Sequence, residues 1–251
     1  EIYMGDWSSD VCSSDLTRPT LLMPHNPPYY VSLTERAGFT KAKDLLVYEG
    51  GVESHFIPVP ERLARGTELI RQRQGITLRG LNLKDFKSEV DRIKAIYNAA
   101  WEMNWGFVPM TDHEIDHLAK SFRPVVIPDL VPFAEKDGKV IAFGLVLPDL
   151  NSALIGNKNG SLLPFLVRTF WLLKTKRQRR CRILLLGILP EWRGKGVDAM
   201  LYHWIWTHCG ARSIYWGEAG WILEDNPAMN AGLEKMNFKV YKTYRLYDRP
   251  L

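Results

Sequence analysis

The stretch that most constrains this 251-residue chain runs from Leu184 to Trp206, LLLGILPEWRGKGVDAMLYHWIW. A near-continuous apolar run, Ile183 to Leu189, has the length and composition of a strand buried on both faces. It stops at Pro190, and Arg193-Gly194-Lys195-Gly196 leads into a helix expected from about Gly196 to Cys209. Glycine lets a backbone approach an anion closely, and the first amides of a helix have no intrahelical acceptor. The pattern therefore reads as a phosphate cradle, aided by the helix dipole and by Arg193 and Lys195. A nucleoside-triphosphate loop does not fit, because Gly-Lys is followed by Gly196 rather than Ser or Thr. The glycine spacing of a dinucleotide fingerprint is also missing.

Around this segment the pattern is regular. Ile76 to Leu81 alternates as a strand, and Phe86, Val90, Ile93, Ile96 and Tyr97 form a helical stripe ending near Trp101. Thr111-Asp112-His113-Glu114 is a capping box that opens a short helix through Ala119. Leu130–Glu135 and Lys139–Leu147 flank Asp137-Gly138, a hairpin signal. After the cradle come a strand near Ile214–Trp216, a helix from Pro227 to Met236 and a last strand from Lys239 to Tyr247. The order β-α-α-β-β-(insertion)-β-α-β-α-β predicts an α/β fold, a mixed sheet with helices on its faces. At 46% hydrophobic residues the chain has material for a large core. No apolar run reaches the roughly 18–20 residues of a membrane span. The longest, Leu162 to Leu173, is broken by Pro164 and Arg168.

In this context the cradle resembles the acetyl-CoA motif of the GNAT (GCN5-related N-acetyltransferase) superfamily, V-x-P-x-x-R-G-x-G-x-G/A. Ile188, Pro190, Arg193, Gly194 and Gly196 match it. The element order from Ile76 to Leu251 is that family's, and Asn226 and Phe238 of EDNPAMNAGLEKMNF stand at its N…GF positions. The resemblance implies a GNAT-like acyl-CoA N-acyltransferase fold with acetyl-CoA or acyl-CoA as co-substrate and no metal. It implies that the strand at Gly187, Ile188 and Leu189 splays from its neighbour and pairs with pantetheine. Its amides would then polarise the thioester carbonyl. Arg193, Gly194, Lys195, Gly196, Val197 and Asp198 would surround the pyrophosphate, with Asn226 nearby. Two positions depart from the pattern. Asp198 replaces the last Gly/Ala and brings a carboxylate toward a pyrophosphate, although an anion in a first helical turn is favourable in itself. Leu233 stands where a tyrosine often protonates the leaving thiolate; Tyr241 and Tyr244 in the last strand are the substitutes. Strand alternation puts Glu218 and Glu224 on one face, with Glu218 the first candidate for general base and Glu224 the second.

Two further motifs need weighing. His113-Glu114-Ile115-Asp116-His117 satisfies H-E-x-x-H, in which two histidines share zinc and the glutamate acts as base. It occupies the first turn of a short capped helix and lacks the longer histidine continuation, so a metallopeptidase ranks as a minor alternative. The insertion joins LLPFLVRTFWLL to KTKRQRRCR, where six of the nine residues from Lys174 to Arg182 are basic. Such a cluster suits an acidic acyl carrier or an anionic lipid surface. With no aromatic-interleaved RNA motif, nucleic acid is not an expected partner. The apolar half of the insertion reads first as packing onto the body of the domain and second as a wall on the acceptor side of the cleft, where Phe165, Phe170 and Trp171 would favour a long acyl group or a lipid-like amine.

The N-terminal part reads differently. Asp6 to Leu16, DWSSDVCSSDL, resembles a translated sequencing-library adapter, so residues 1–16 are expected to be disordered, with the native N-terminus upstream. Without its four acidic residues the net charge rises from +5 to +9. Asn26–Tyr48 and Asn226–Tyr247 share an order of Asn-Pro, helix, Phe and Lys/Tyr-rich strand, a weak internal repeat. On that basis residues 17–50 are expected to be the C-terminal stub of an upstream GNAT-like domain, as in tandem bacterial proteins of that kind. Residues 51–75 would be a linker and 76–251 the acyltransferase domain. Three cysteines without paired spacing fit a reducing, cytoplasmic setting. The reading is an acyltransferase moving an acetyl or longer acyl group from CoA to an amine by direct attack. The alternative is a GNAT-fold binding module that has lost catalysis.

Overall fold

The computed structural model describes residues 11–12, 17–102, 104–157 and 159–249. Their strands form one mixed sheet in the order β1-β8-β2-β7-β6-β5-β4-β3. The strands are β1 (Val11–Cys12), β2 (Thr40–Gly51), β3 (Thr77–Arg79), β4 (Phe133–Lys136), β5 (Lys139–Pro148), β6 (Arg180–Ile188), β7 (Trp216–Leu223) and β8 (Lys239–Asp248). The helices are α1 (Tyr29–Arg36), α2 (Glu61–Gln74), α3 (Phe86–Trp101), α4 (Asp112–Phe122), α5 (Leu162–Lys174), α6 (Val197–Ala211) and α7 (Pro227–Lys235).

Local chemistry sets several of these boundaries. Asp137 and Gly138 both take positive φ, 50° and 76°, as a two-residue hairpin turn requires, and β4 and β5 pair across them. The Thr111 side chain accepts from the Glu114 amide at 3.3 Å, and the Glu114 carboxylate accepts from the Thr111 amide at 2.8 Å. This reciprocal cap starts α4. Thr111→Ala should cost about 1 kcal/mol of stability, read as a lower urea midpoint with an unchanged slope. An unchanged midpoint would mean that α4 starts without the cap.

Two cores lie on the two faces of the sheet. On one, α6 packs Met200, Leu201 and Ile205 over Ala142, Val146, Ile183 and Ala219. On the other, α3 packs Ile96 with Leu81, Phe133 and Phe143. Cys181 and Cys209, 28 residues apart, meet as buried thiols in the first core with sulfurs 3.9 Å apart. Their mutual hydrogen bond and burial raise the Cys181 pKa well above the ordinary thiol value.

The N-terminal residues contribute to this same sheet. β2 lies between β7 and β8 and is antiparallel to both, so residues 40–51 fill a gap in the middle of the sheet. The two halves of the internal repeat thus sit side by side, β2 paired along its length with β8. The expected linker is also packed: the Trp206 indole donates to the Ile57 carbonyl at 2.8 Å, and α2 lies against α6. Of the segment read as adapter-derived, Val11 and Cys12 pair with Arg245 and Tyr244, at the edge β8 otherwise leaves open. An open edge accepts extended backbone of any origin. Trp7 and the rest of that segment lie outside the described residues.

Candidate active site

β6 and β7 run parallel only from Arg180–Ile183 against Trp216–Ala219. Beyond that point β6 follows β5 through Ile188, while β7 follows β2 through Leu223. The two strands therefore part, and among the described residues no strand lies beside the edge of β6 from Leu184 to Ile188, which faces a cleft. The β5–β6 register shifts here: Leu145 pairs with Leu185 and Val146 with Ile183, so Leu184 is an extra residue. The bulge re-aims the strand, and Leu184 and Leu185 both line the face covered by α3 and α4.

The cradle lies at the end of this strand. Gly194 and Gly196 take φ of 69° and 83°, the left-handed region that glycine reaches without a Cβ penalty. Gly196 is the N-cap of α6, and among the described residues no acceptor meets the amides from Gly194 to Ala199. Gly194 and Lys195 are exposed, Asp198 is half-buried and Val197 is buried. The expected linker helix forms one wall: the Gln74 amide donates to the Lys195 carbonyl at 2.9 Å, and Ile70 packs on Gly196. A Cβ on Gly196 would stand 2.4 Å from Ile70 Cδ1. The Arg193 guanidinium donates to the Ala100 carbonyl at 2.6 Å, which ties the loop to the end of α3. Lys195 Nζ lies 4.7 Å from the Trp192 ring centre. Asn226 caps α7, its side-chain oxygen accepting from the Met229 amide at 3.2 Å.

The acid–base candidates separate. Glu218 is fully buried beside the point where the strands part. The hydroxyls of Thr20 and Tyr241 donate to its two oxygens, and Arg182 Nε stands 3.5 Å away. The Arg182 guanidinium also donates to the carbonyls of Leu21 at 2.6 Å and Gly220 at 3.0 Å. Burial lowers the Arg182 pKa against the pull of Glu218. Burial and the Glu218 charge push the Tyr241 hydroxyl up. As placed, the first-choice base is sealed under residues 20–22 and faces no solvent. Glu224 is elsewhere, at the end of β7, accepting from Lys41 Nζ at 2.9 Å and the Asp44 amide at 3.1 Å. The bond from Lys41 holds its carboxyl below the usual range, which makes it a weaker base. Tyr244 is buried with its hydroxyl on the Pro24 carbonyl at 3.0 Å, and Leu233 sits in the core under α7. The sequence reading paired Glu218 with Glu224; the structure pairs it with Tyr241, Thr20 and Arg182.

Next to this cluster, on the same face, is an apolar cavity of about 210 Å³. Its walls include Ile93 and Tyr97 of α3, Leu118 and Phe122 of α4, and Leu184 and Leu185 of β6. Leu22, just past the strap over Glu218, is on its rim and exposed. None of the residues from Leu162 to Arg182 lines it. The insertion, expected beside the acceptor side of the cleft, forms α5, whose Phe170 and Trp171 face outward. Its basic run is also partly used internally: Arg180 pairs with Glu53 and Asp149, and Arg182 with Glu218.

The H-E-x-x-H segment carries out a different task. Glu114 accepts from both the amide and the hydroxyl of Thr111, and those bonds lower its pKa. Its carboxylate is committed to the helix cap. Among the described residues no three metal-ligating side chains come together.

No protein-family model matches the chain. Over 241 residues it is 33% identical to the protein YghO of Escherichia coli strain K12, which covers 94% of this chain and 60% of that one. Over 242 residues it is 35% identical to the bacterial ceramide synthase of Caulobacter vibrioides, covering 94% of this chain and 61% of that one. The chain thus spans about three fifths of the length of these curated relatives. Among solved structures, a GCN5-related N-acetyltransferase from Sphaerobacter thermophilus superposes with a TM-score of 0.54 at 16% identity, over 88% of this chain and 56% of that one. The parted strands, the glycine cradle before α6 and this superposition agree: the chain has the fold of the GCN5-related N-acetyltransferases.

Proposed function

We propose that this chain transfers a long acyl group from acyl-CoA to an amine. The observation that carries the reading is the apolar cavity, because it adjoins the free edge of β6 where a thioester would lie. A cavity of about 210 Å³ exceeds the roughly 150 Å³ apolar cavity that admits benzene. It therefore has room for several methylenes, which an acetyl group would leave empty.

The cradle suits the other end of such a substrate. Unpaired amides from Gly194 to Asp198 at a helix start would hold a pyrophosphate, with the Lys195 ammonium alongside. Acyl-CoA supplies the activated carbonyl, and this chain's residues bind, orient and exclude water. Backbone amides on the free edge of β6 are the donors for the thioester oxygen, an arrangement that favours developing negative charge. Burial in the apolar cavity fixes the acyl chain and keeps water from the thioester. Glu218 and Tyr241 position rather than touch: together with Arg182 they hold the strap that carries Leu22 to the rim. The amine class is proposed from the resemblance to a bacterial ceramide synthase. A ceramide is an amide of a fatty acid and a long-chain amino alcohol, and an amine of that kind fits an apolar site.

The test is release of CoA thiol from acetyl-, octanoyl- and palmitoyl-CoA with a long-chain amino alcohol as acceptor. Leu184→Phe, which fills the cavity, should leave acetyl transfer within a few-fold. It should cut palmitoyl transfer at least about 10-fold, since each displaced methylene loses about 0.8 kcal/mol. Equal losses for all three donors would remove the cavity from the acyl path. Micromolar CoA binding with no turnover of any donor would support the non-catalytic binding module, a reading favoured by the sealed position of Glu218.

A further inference from the structure

We infer that α5 is a membrane-interface anchor that seats the protein on an anionic lipid bilayer. The helix is apolar on both sides. Phe165, Thr169, Leu172 and Leu173 rest on the body of the protein, while Leu162, Leu163, Leu166, Val167, Phe170 and Trp171 face outward. Leu163 is 72% exposed and Phe170 is 66% exposed. Leu154 and Ile155 extend the same patch, tied to α5 by a hydrogen bond from Arg168 to the Ile155 carbonyl. Single exposed leucines are ordinary on a protein surface. A contiguous cluster of this size marks a contact with something apolar.

Charge selects the occupant. From Asn151 to Pro190 the sequence has eight Lys and Arg and no Asp or Glu. Arg180 and Arg182 point inward, but Lys174, Lys176 and Arg177 stay exposed at the C-terminal end of α5. Two of them lie against the outward aromatic rings. Lys174 Nζ is 5.5 Å from the Phe170 ring centre, and the Arg177 guanidinium is 4.9 Å from that of Trp171. Aromatic rings next to cations, at the end of an apolar face, are the arrangement that sits at headgroup level, with rings below and cations on phosphate. A second copy of this face offers no carboxylate to the basic end. An acidic acyl carrier would satisfy the cations and leave the leucines in water. An anionic bilayer satisfies both.

The helix lies on the membrane and does not cross it. Thirteen residues span about 20 Å, against roughly 30 Å of hydrocarbon. Among the described residues no helix is long and apolar enough to span. α5 feeds β6 at the end opposite the cradle, roughly 26 Å of strand away, so a seated α5 leaves the CoA end in water. The inference stands on α5 alone and holds whether or not the chain transfers acyl groups.

Flotation with vesicles tests it, using phosphatidylcholine alone and an equimolar mixture with phosphatidylglycerol. The protein should float with the mixed vesicles and bind phosphatidylcholine far more weakly. Leu163→Ser with Val167→Ser and Phe170→Ser should weaken flotation by on the order of 10-fold per side chain, with an unchanged melting temperature, since these side chains face outward. Lys174→Ala with Lys176→Ala and Arg177→Ala should lose on the order of 100-fold, and most of the salt sensitivity with it. Failure of the wild-type protein to float with either vesicle would overturn the inference. So would a concentration-dependent dimer that the serine variant alone dissociates, or salt-sensitive binding of an acidic acyl carrier without binding of vesicles.

Discussion

Arg182→Met should lower stability by about 3–5 kcal/mol, since it strands a buried carboxylate without its counter-charge. For a chain of this size that is a drop of roughly 6–20 °C in melting temperature. Glu218 would keep the hydroxyls of Thr20 and Tyr241, but a buried anion needs more than two neutral donors. The carbonyls of Leu21 and Gly220 would lose their donor as well. Combining Arg182→Met with Glu218→Gln removes both charges, leaving a carbonyl oxygen to accept from one hydroxyl and an amide NH2 to donate to the other, which can rotate to accept. That double variant should regain more than half of the loss. If it is no more stable than Arg182→Met, the damage is packing and carbonyl desolvation, and the charge pair is not what secures this region. Urea unfolding of both single variants and the double variant closes the cycle.

Gly196→Val should abolish stabilisation by acyl-CoA. The backbone at Gly196 has φ of 83°, where a β-branched side chain is strained, and the new Cβ would meet Ile70 at 2.4 Å. Either α2 is pushed off or the first turn of α6 re-forms, and in both cases the unpaired amides turn from their common target. Thermal shift measures this directly. Acyl-CoA at 100 times its Kd should add about 2.7 kcal/mol to the native protein and nothing to the variant. Gly194→Ala is the companion, because it changes only backbone preference: nothing lies within 4 Å of its Cβ position. It should retain part of the shift. A full shift with Gly196→Val would place the pyrophosphate elsewhere.

The sequence disclosed what is decided over a few residues. The Asp137-Gly138 turn, the cap of Thr111 on Glu114 and the two glycines before α6 follow from local backbone rules, and each stands where those rules put it. Even H-E-x-x-H, read alone, hinted at its outcome, because its glutamate is the fourth residue of a capping box. The carboxylates were harder. Alternation put Glu218 and Glu224 on one face, yet Glu224 lies just past the end of β7 and answers to Lys41, 183 residues away. Thr20 reaches Glu218 across 198 residues. Nothing local marks either partnership. The bulge at Leu184 was equally hidden, since an extra residue in one strand is visible only against the register of its neighbour. In the insertion, the apolar half of α5 looked like packing or a pocket wall, because composition does not say which side of a helix faces out.

The position of β2 has a consequence for how the molecule is made. Its residues precede those of β3 to β6 in the chain, but both of its neighbours, β7 and β8, follow them. Pairs such as Lys41 with Tyr247 and Leu45 with Leu223 close loops of about two hundred residues. Contacts so distant along the chain slow folding, because loop entropy is lost before any pairing compensates for it. During synthesis β2 is made before β7 and β8, the two strands that flank it in the finished sheet, and waits for them while β3 to β6 are added. A nascent chain in that state is a natural client for a chaperone. Moving β2 to follow β8 by circular permutation should speed refolding while leaving the finished sheet unchanged.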